Sequence, residues 1–422
     1  MTHTAPPASF SDSLSSDRMV KGVEQAAADA PPGPGAGYRD AILDLPPSAL
    51  TELTRLGVNR TDILPLWFGE TDIVTPPFIC EAAARAMAEG MTFYGPARGL
   101  PALREAIVAY TARHYGMDVD IDRVSVPGSA MLSINIVLQC LVGEGDRIVI
   151  VTPQWANISL AAQSRGAEIV QVPQTITGEG EAARWTLDLD RLFDACTPGT
   201  KALFIGSPAN PTGYMTRADE QRAILDMARR RGIAVIADEV YARLAYGMHT
   251  APSYLPLAGD DEPVFIINSF SKIWAMTGWR IGWLTGPRAL GETLLHMAGF
   301  NNTGVPPFLQ HGAIAALEQG EDLVASIQER CATGLAIVEE HLGHHPRIRM
   351  ARPEGAFYAF IEIEGVDDSI AFAKALFHTE HVGVAPGAAF GPGNENRVRL
   401  CFARRQDQLR EALERLTRFL DA

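Results

Sequence analysis

Cysteine is scarce in this 422-residue chain: Cys80, Cys140, Cys196, Cys331 and Cys401 are scattered, odd in number and without a CxxC pair. That pattern argues against a disulfide framework or a thiolate zinc site and reads as core thiols in a reducing cytoplasm. Basic residues are also in deficit, 36 against 50 acidic ones, for a formal net charge of −14. An acidic chain is a poor partner for nucleic acid or an anionic membrane surface, so any anion it binds must meet a local cluster of charge. No apolar run approaches the roughly 20 residues of a membrane span. The start, MTHTAPPASFSDS, lacks the basic and apolar regions of a secretory signal, and a cytoplasmic protein is expected. The histidines of HLGHH (341–345), with His378 and His381, flank helices without acidic or thiol companions, so no metal site is expected.

What is present is the composition of a globular protein, 47% apolar and 20% charged. The length favours a large domain with a smaller partner. Residues 1–38 are rich in Ala, Pro, Ser and Gly and read as a flexible tail. From about residue 79 helical segments alternate with short apolar runs, the signature of an α/β domain with a mainly parallel sheet. The runs are DRIVIVTP (146–153), KALFIGSP (201–208), IAVIADE (233–239), VFIINSFS (264–271) and IGWLTG (281–286). RADEQRAILDMARRRG has acidic residues early, basic residues late and Gly232 as a stop, as a helix should. After about residue 320 long helices surround the short strands FYAFIEIE and RVRLCFA, which predicts a smaller α+β domain over 321–422, completed by residues 39–78.

In a doubly wound sheet ligands bind beyond the carboxyl ends of the strands. Four polar residues follow apolar runs: Ser129 after RVSVPG, Asn210 after LFIGSPA, Asp238 after IAVIA and Lys272 after FIINSFS. A lysine whose pKa is lowered by burial and a cationic neighbour can be a free amine, able to form an imine with an aldehyde. Arg280, eight residues on, offers a fork suited to phosphate. An aldehyde carrying a phosphate is pyridoxal phosphate, whose pyridine nitrogen needs a carboxylate, and Asp238 is placed for it. From the residues alone, Lys272 and Arg280 could equally be surface residues of a loop and Asp238 a helix N-cap.

SFSKIWAMTGWRIG (269–282) resembles the cofactor-lysine signature of the class I/II aminotransferases, which are fold-type I pyridoxal phosphate enzymes. SPANPTG (207–213), ADEVYARLAY (237–246), FYGPARGLPALREAI (93–107), PEGAFYAF (353–360) and GVAPGAAFGPG with RVRLCFA (383–403) resemble further blocks of that family in order. The resemblance implies an aspartate aminotransferase-like fold: a large domain (79–320) with a mostly parallel seven-stranded sheet between helices, and the smaller α+β domain.

It also implies roles. Lys272 would form the Schiff base and then act as acid and base at the substrate Cα. Asp238 would hold the pyridinium proton, Tyr241 and Asn210 would bind the phenolic oxygen, and Trp155 would stack on the ring. Gly128, Ser129 and Ala130 at a helix N-terminus, with Ser269, Ser271 and Arg280, would form the phosphate cup. Tyr94 resembles the tyrosine sent across a dimer interface to the neighbouring phosphate, which makes a homodimer with shared sites the expectation. Arg399 would bind the substrate α-carboxylate; Arg397 lies on the same strand face, and spacing to Leu400 and Cys401 favours Arg399. Gly69, Trp155 and Asn210 complete the substrate side, with glycine permitting close approach.

The expected reaction is amino transfer between an L-amino acid and a 2-oxo acid. Relatives with these motifs also perform elimination, γ-substitution, for example on S-adenosylmethionine, or oxidation, and Thr71 stands where many of them have Gly or Pro. Ser129 replaces a basic residue found in some acidic-substrate relatives, which argues against a dicarboxylate specialist unless Arg98 supplies the charge. A cofactor-sensing regulator is disfavoured, because residues 1–60 show no helix-turn-helix pattern.

Overall fold

Continuous apolar runs bounded by turn residues become strands buried on both faces. In the computed structural model, which describes residues 39–46 and 48–422, seven strands form the central sheet. They are β1 Val124–Gly128, β2 Arg147–Thr152, β3 Glu168–Pro173, β4 Thr200–Gly206, β5 Ala234–Asp238, β6 Val264–Ser269 and β7 Gly282–Thr285. Their order is β1-β7-β6-β5-β4-β2-β3. β7 pairs antiparallel with both β1 and β6, and the remaining pairs are parallel. Alternate side chains enter opposite layers: Val149 and Val151 of β2 join one apolar cluster, Ile148 and Ile150 the other.

The expected helix over the RADEQ segment spans Ala218–Arg231 and stops at Gly232, whose φ of 65° is a left-handed cap that glycine adopts without a Cβ clash. The strand over VFIINSFS ends earlier than its run suggests, at Ser269, where the Ser269 hydroxyl accepts from Ser271 N at 3.0 Å and turns the chain out of the sheet.

A second, antiparallel sheet is built from β8 Ile348–Met350, β9 Tyr358–Ile363, β10 Ala385–Pro386 and β11 Arg397–Cys401, in the order β8-β9-β11-β10. The long helices Glu321–Leu342 and Gln406–Asp421 pack together beside it. Leu64–Pro65 pairs with Val382–Gly383, so an early segment of the chain lies beside this later part.

Pro46–Ala422 forms one compact unit. Before it, residues 39–45 carry the short helix Asp40–Leu43. The tail read over 1–38 lies outside the described residues. Among the described residues, no helix is long and apolar enough to cross a membrane.

The crossing of helix Glu321–Leu342 over the strand-to-helix turn after β11 is close: a Cβ on Gly334 would stand 2.2 Å from Phe402 O. Alanine gains about 1 kcal/mol of helix propensity over glycine, yet a fixed backbone carbonyl cannot give way, and overpacking costs about 1–3 kcal/mol. Gly334→Ala is therefore expected to lower the urea unfolding midpoint. An unchanged or higher midpoint would mean the crossing has slack.

Candidate active site

Five strand ends meet at one edge of the large sheet. The chain leaves β1, β2, β4, β5 and β6 at Gly128, Thr152, Gly206, Asp238 and Ser269. Because β7 runs the other way, Arg280, two residues before its start at Gly282, returns to that same edge. A cavity of about 370 Å³ opens there, lined by Ala130, Trp155, Asn210, Asp238, Tyr241, Ser269, Ser271, Lys272 and Arg280, and closed on another side by Gly69, Tyr358 and Arg399.

Lys272 is reached from β6 through Phe270 and Ser271. Phe270, Ile273, Trp274 and Met276 are buried around it, and Trp274 packs on Phe270 and Trp283 with ring centroids 5.2 and 6.3 Å apart. These anchors fix the segment while the lysine points into the cavity, where Nζ donates to Gly69 O at 2.7 Å. Loss of hydration, with Arg399 repelling and Arg280 adding to it, lowers its pKa to about 8.

Asp238 ends β5 and accepts from Val240 N at 3.3 Å. Residues 240–243 form a turn, so the alternative of a helix N-cap does not hold. Burial raises its pKa to about 6, against the Val240 hydrogen bond and the Lys272 charge. Tyr241 is buried, and its phenol is pushed well up by desolvation and by Tyr358.

Ser129 caps helix Ala130–Leu141 by accepting from Leu132 N at 3.2 Å. The amides of Ala130 and Met131 precede any intrahelical acceptor and are available to an anion. Gly282 keeps that helix end open, since a Cβ there would lie 3.1 Å from Ala130 N. Arg280, at a left-handed φ of 53°, donates to Thr277 O at 2.8 Å.

Arg399 and Arg397 are separated by their surroundings. Arg399 is 1% exposed, donates to Asn210 Oδ1 at 3.0 Å and to Trp67 O, and lines the cavity. Its Nε is buried without a partner among the described residues. Arg397 instead pairs with Glu362 on β9 at 2.5 Å. The segment 66–75 that carries Gly69 is tied down on both sides: Cys401 N donates to Leu66 O at 2.8 Å, Asp72 pairs with Arg330, and Thr75 Oγ1 donates to Ala275 O at 2.6 Å.

Two residues stand apart. Tyr94 is 90% exposed and is not among the cavity's lining residues. Arg98 is buried and donates to Ser125 Oγ at 3.0 Å and Val124 O at 3.2 Å, so its guanidinium is committed to β1. Sequence reading passed over three groups at the cavity wall: Glu70, which accepts from Thr277 Oγ1 at 2.9 Å, Gln154 and Tyr358. Gln154 follows and Tyr358 lies within a quoted motif, and Glu70 adjoins Gly69; only contacts between distant segments single them out.

An amine, a carboxyl and an anion cradle on one edge of such a sheet, with a smaller α+β layer closing over them, is the architecture of a fold-type I enzyme. The family model for aminotransferase class I and II matches residues 61–416. Aspartate aminotransferase of Geobacillus stearothermophilus is 33% identical over 393 residues, covering 90% of this chain and 98% of the relative. An arginine–pyruvate transaminase of Pseudomonas aeruginosa is 32% identical over 357 residues, covering 84% and 89%. The solved structure of N-succinyldiaminopimelate aminotransferase from Mycobacterium tuberculosis superposes with a TM-score of 0.82 at 30% identity, over 90% of this chain and 99% of that one. The chain belongs to the class I and II aminotransferase family and is an aminotransferase.

A Lys272 amine lowered to about pH 8 is open to direct measurement. Reductive methylation of the cofactor-free protein, followed by peptide mass spectrometry, should give half-maximal labelling of Lys272 near that pH, well below the ordinary lysine value of about 10.4. Half-maximal labelling of Lys272 only in that ordinary range would refute the desolvated amine.

Proposed function

We propose that this aminotransferase uses pyridoxal phosphate to move an amino group between an L-amino acid and a 2-oxo acid. The observation that carries the reading is the convergence in one cavity of a desolvated lysine amine, a half-buried carboxyl with no cationic hydrogen-bond partner among the described residues, and a buried arginine facing the same space. The chemical fit is good. Lys272 would hold the aldehyde, Asp238 would pair with a pyridinium, and the amides of Ala130 and Met131, the hydroxyls of Ser269 and Ser271, and Arg280 would hold the phosphate. When bound, the cofactor would supply an electron sink for the pair left on the substrate Cα.

The chain's own residues do the rest. Arg399, held by Asn210 and Trp67 O, orients the substrate α-carboxylate, with Gly69 allowing close approach. Asn210 and Tyr241 flank the cofactor's phenolic oxygen, and Trp155 covers the ring face. Lys272 Nζ would take the proton from the substrate Cα and deliver it to the cofactor's imine carbon, the shift that amino transfer requires and one for which a pKa near neutrality is efficient. Tyr94 reaches the phosphate of a second subunit, so the working form is a homodimer with shared sites, in the cytoplasm. Residues 39–78 and 321–422 act as the small domain against 79–320. Elimination, γ-substitution and oxidation are not favoured, since the relatives described above are named for transamination.

The visible spectrum of the cofactor-loaded protein, followed as single L-amino acids are added without oxo acid, tests the reading. Conversion to the pyridoxamine form is expected with at least one amino acid, and Lys272→Ala should lose the borohydride-reducible link to the cofactor. Persistence of the starting band with every amino acid, or retention of the link, would sink it.

A further inference from the structure

The roles above leave one buried phenol of the cavity unused. Tyr358, on β9, is fully buried, and its hydroxyl lies 2.7 Å from that of Tyr241. The two rings meet edge to face at 5.7 Å, and the Arg399 guanidinium lies 4.4 Å from the Tyr358 ring centre. Gly69 makes room for it, since a Cβ there would stand 2.3 Å from the Tyr358 hydroxyl. A single side chain thus touches Tyr241, Arg399 and Gly69.

A phenol has one proton to donate and lone pairs to accept with. If Tyr241 gives its proton to the cofactor's phenolic oxygen, its own oxygen is left for a donor, and the Tyr358 hydroxyl is at hydrogen-bond distance. A hydroxyl that accepts a hydrogen bond becomes a better donor. We propose that Tyr358 is a positioning residue for the cofactor's phenolic oxygen, donating to Tyr241 so that Tyr241 is aimed at that oxygen and binds its ionised form more strongly. The inference rests on the pyridoxal phosphate reading. A phenolic oxygen stabilised as the anion is a weaker base, so the bound cofactor gives up its proton at lower pH than it would without Tyr358.

The test is a pH titration of the visible absorption of the cofactor-loaded protein, in wild type, Tyr358→Phe, Tyr241→Phe and the double variant. Phenylalanine at 358 keeps the ring beside Arg399 and removes the hydroxyl alone, so a purely packing role would leave the midpoint where it is. The expected midpoint rises by about 0.3–0.7 pH unit in Tyr358→Phe, the size of a modest strengthening of one charge-assisted hydrogen bond. Tyr241→Phe should shift it further, and the double variant should match Tyr241→Phe. An unmoved midpoint in Tyr358→Phe, or a shift that persists undiminished in the Tyr241→Phe background, overturns the proposal. A wild-type protein that develops no pyridoxal phosphate band removes the cofactor reading and this inference together, a failure seen before any variant is compared.

Discussion

A lysine amine held out of water near two guanidinium groups is the interaction around which the cavity is arranged. Desolvating an ammonium costs several kcal/mol, and Arg399 and Arg280 add repulsion. Such a group stays put only if its neighbours are fixed independently of it. Phe270, Ile273, Trp274 and Met276 do this by burial, and a fully buried side chain of that kind contributes about 1.5–3 kcal/mol. The apolar residues around the lysine therefore outweigh the electrostatic cost at its tip, and the system relieves the rest by lowering the pKa. Reactivity and packing are here two readings of the same short segment.

The cavity draws its walls from both sheets. Asp238, Tyr241 and Lys272 follow strands of the large one, while Arg399 and Tyr358 belong to the small one. The 66–75 segment bridges them through Leu66, Asp72 and Thr75. In the proposed reading, a substrate gripped at its carboxylate by Arg399 and at its amine by the cofactor connects the two layers, and the raised Asp238 carboxyl waits for a cationic ring nitrogen to pair with it.

Much of this was legible in the sequence because the strands concerned are buried on both faces. β2, β4, β5 and β6 read as unbroken apolar runs for that reason. β3, EIVQVP, did not stand out: it lies at the edge of the sheet and is mostly half-exposed, so its pattern is diluted. Arg397 and Arg399 lie two apart on one strand face, and in the sequence only the spacing to Leu400 and Cys401 favours Arg399. What separates them in the fold is Glu362, directly opposite Arg397 on β9, which no one-dimensional spacing reveals. The Tyr241–Tyr358 contact joins the turn after β5 to β9, residues 117 positions apart, beyond any local pattern. Gly128, Ser129 and Tyr94 do not line the cavity, and Tyr94 is exposed to solvent.

The antiparallel return of β7 has a consequence for how this chain can vary. β6 and β7 are hydrogen-bonded neighbours in fixed register, Ser269 opposite Gly282, so the loop carrying Lys272 and Arg280 is a closed span clamped at both feet. An inserted or deleted residue there has no slack to disappear into; it would displace the lysine or the arginine. Loops at the opposite edge of the sheet carry no such bond between length and chemistry, and that edge is where this scaffold can accept grafts, tags and length changes.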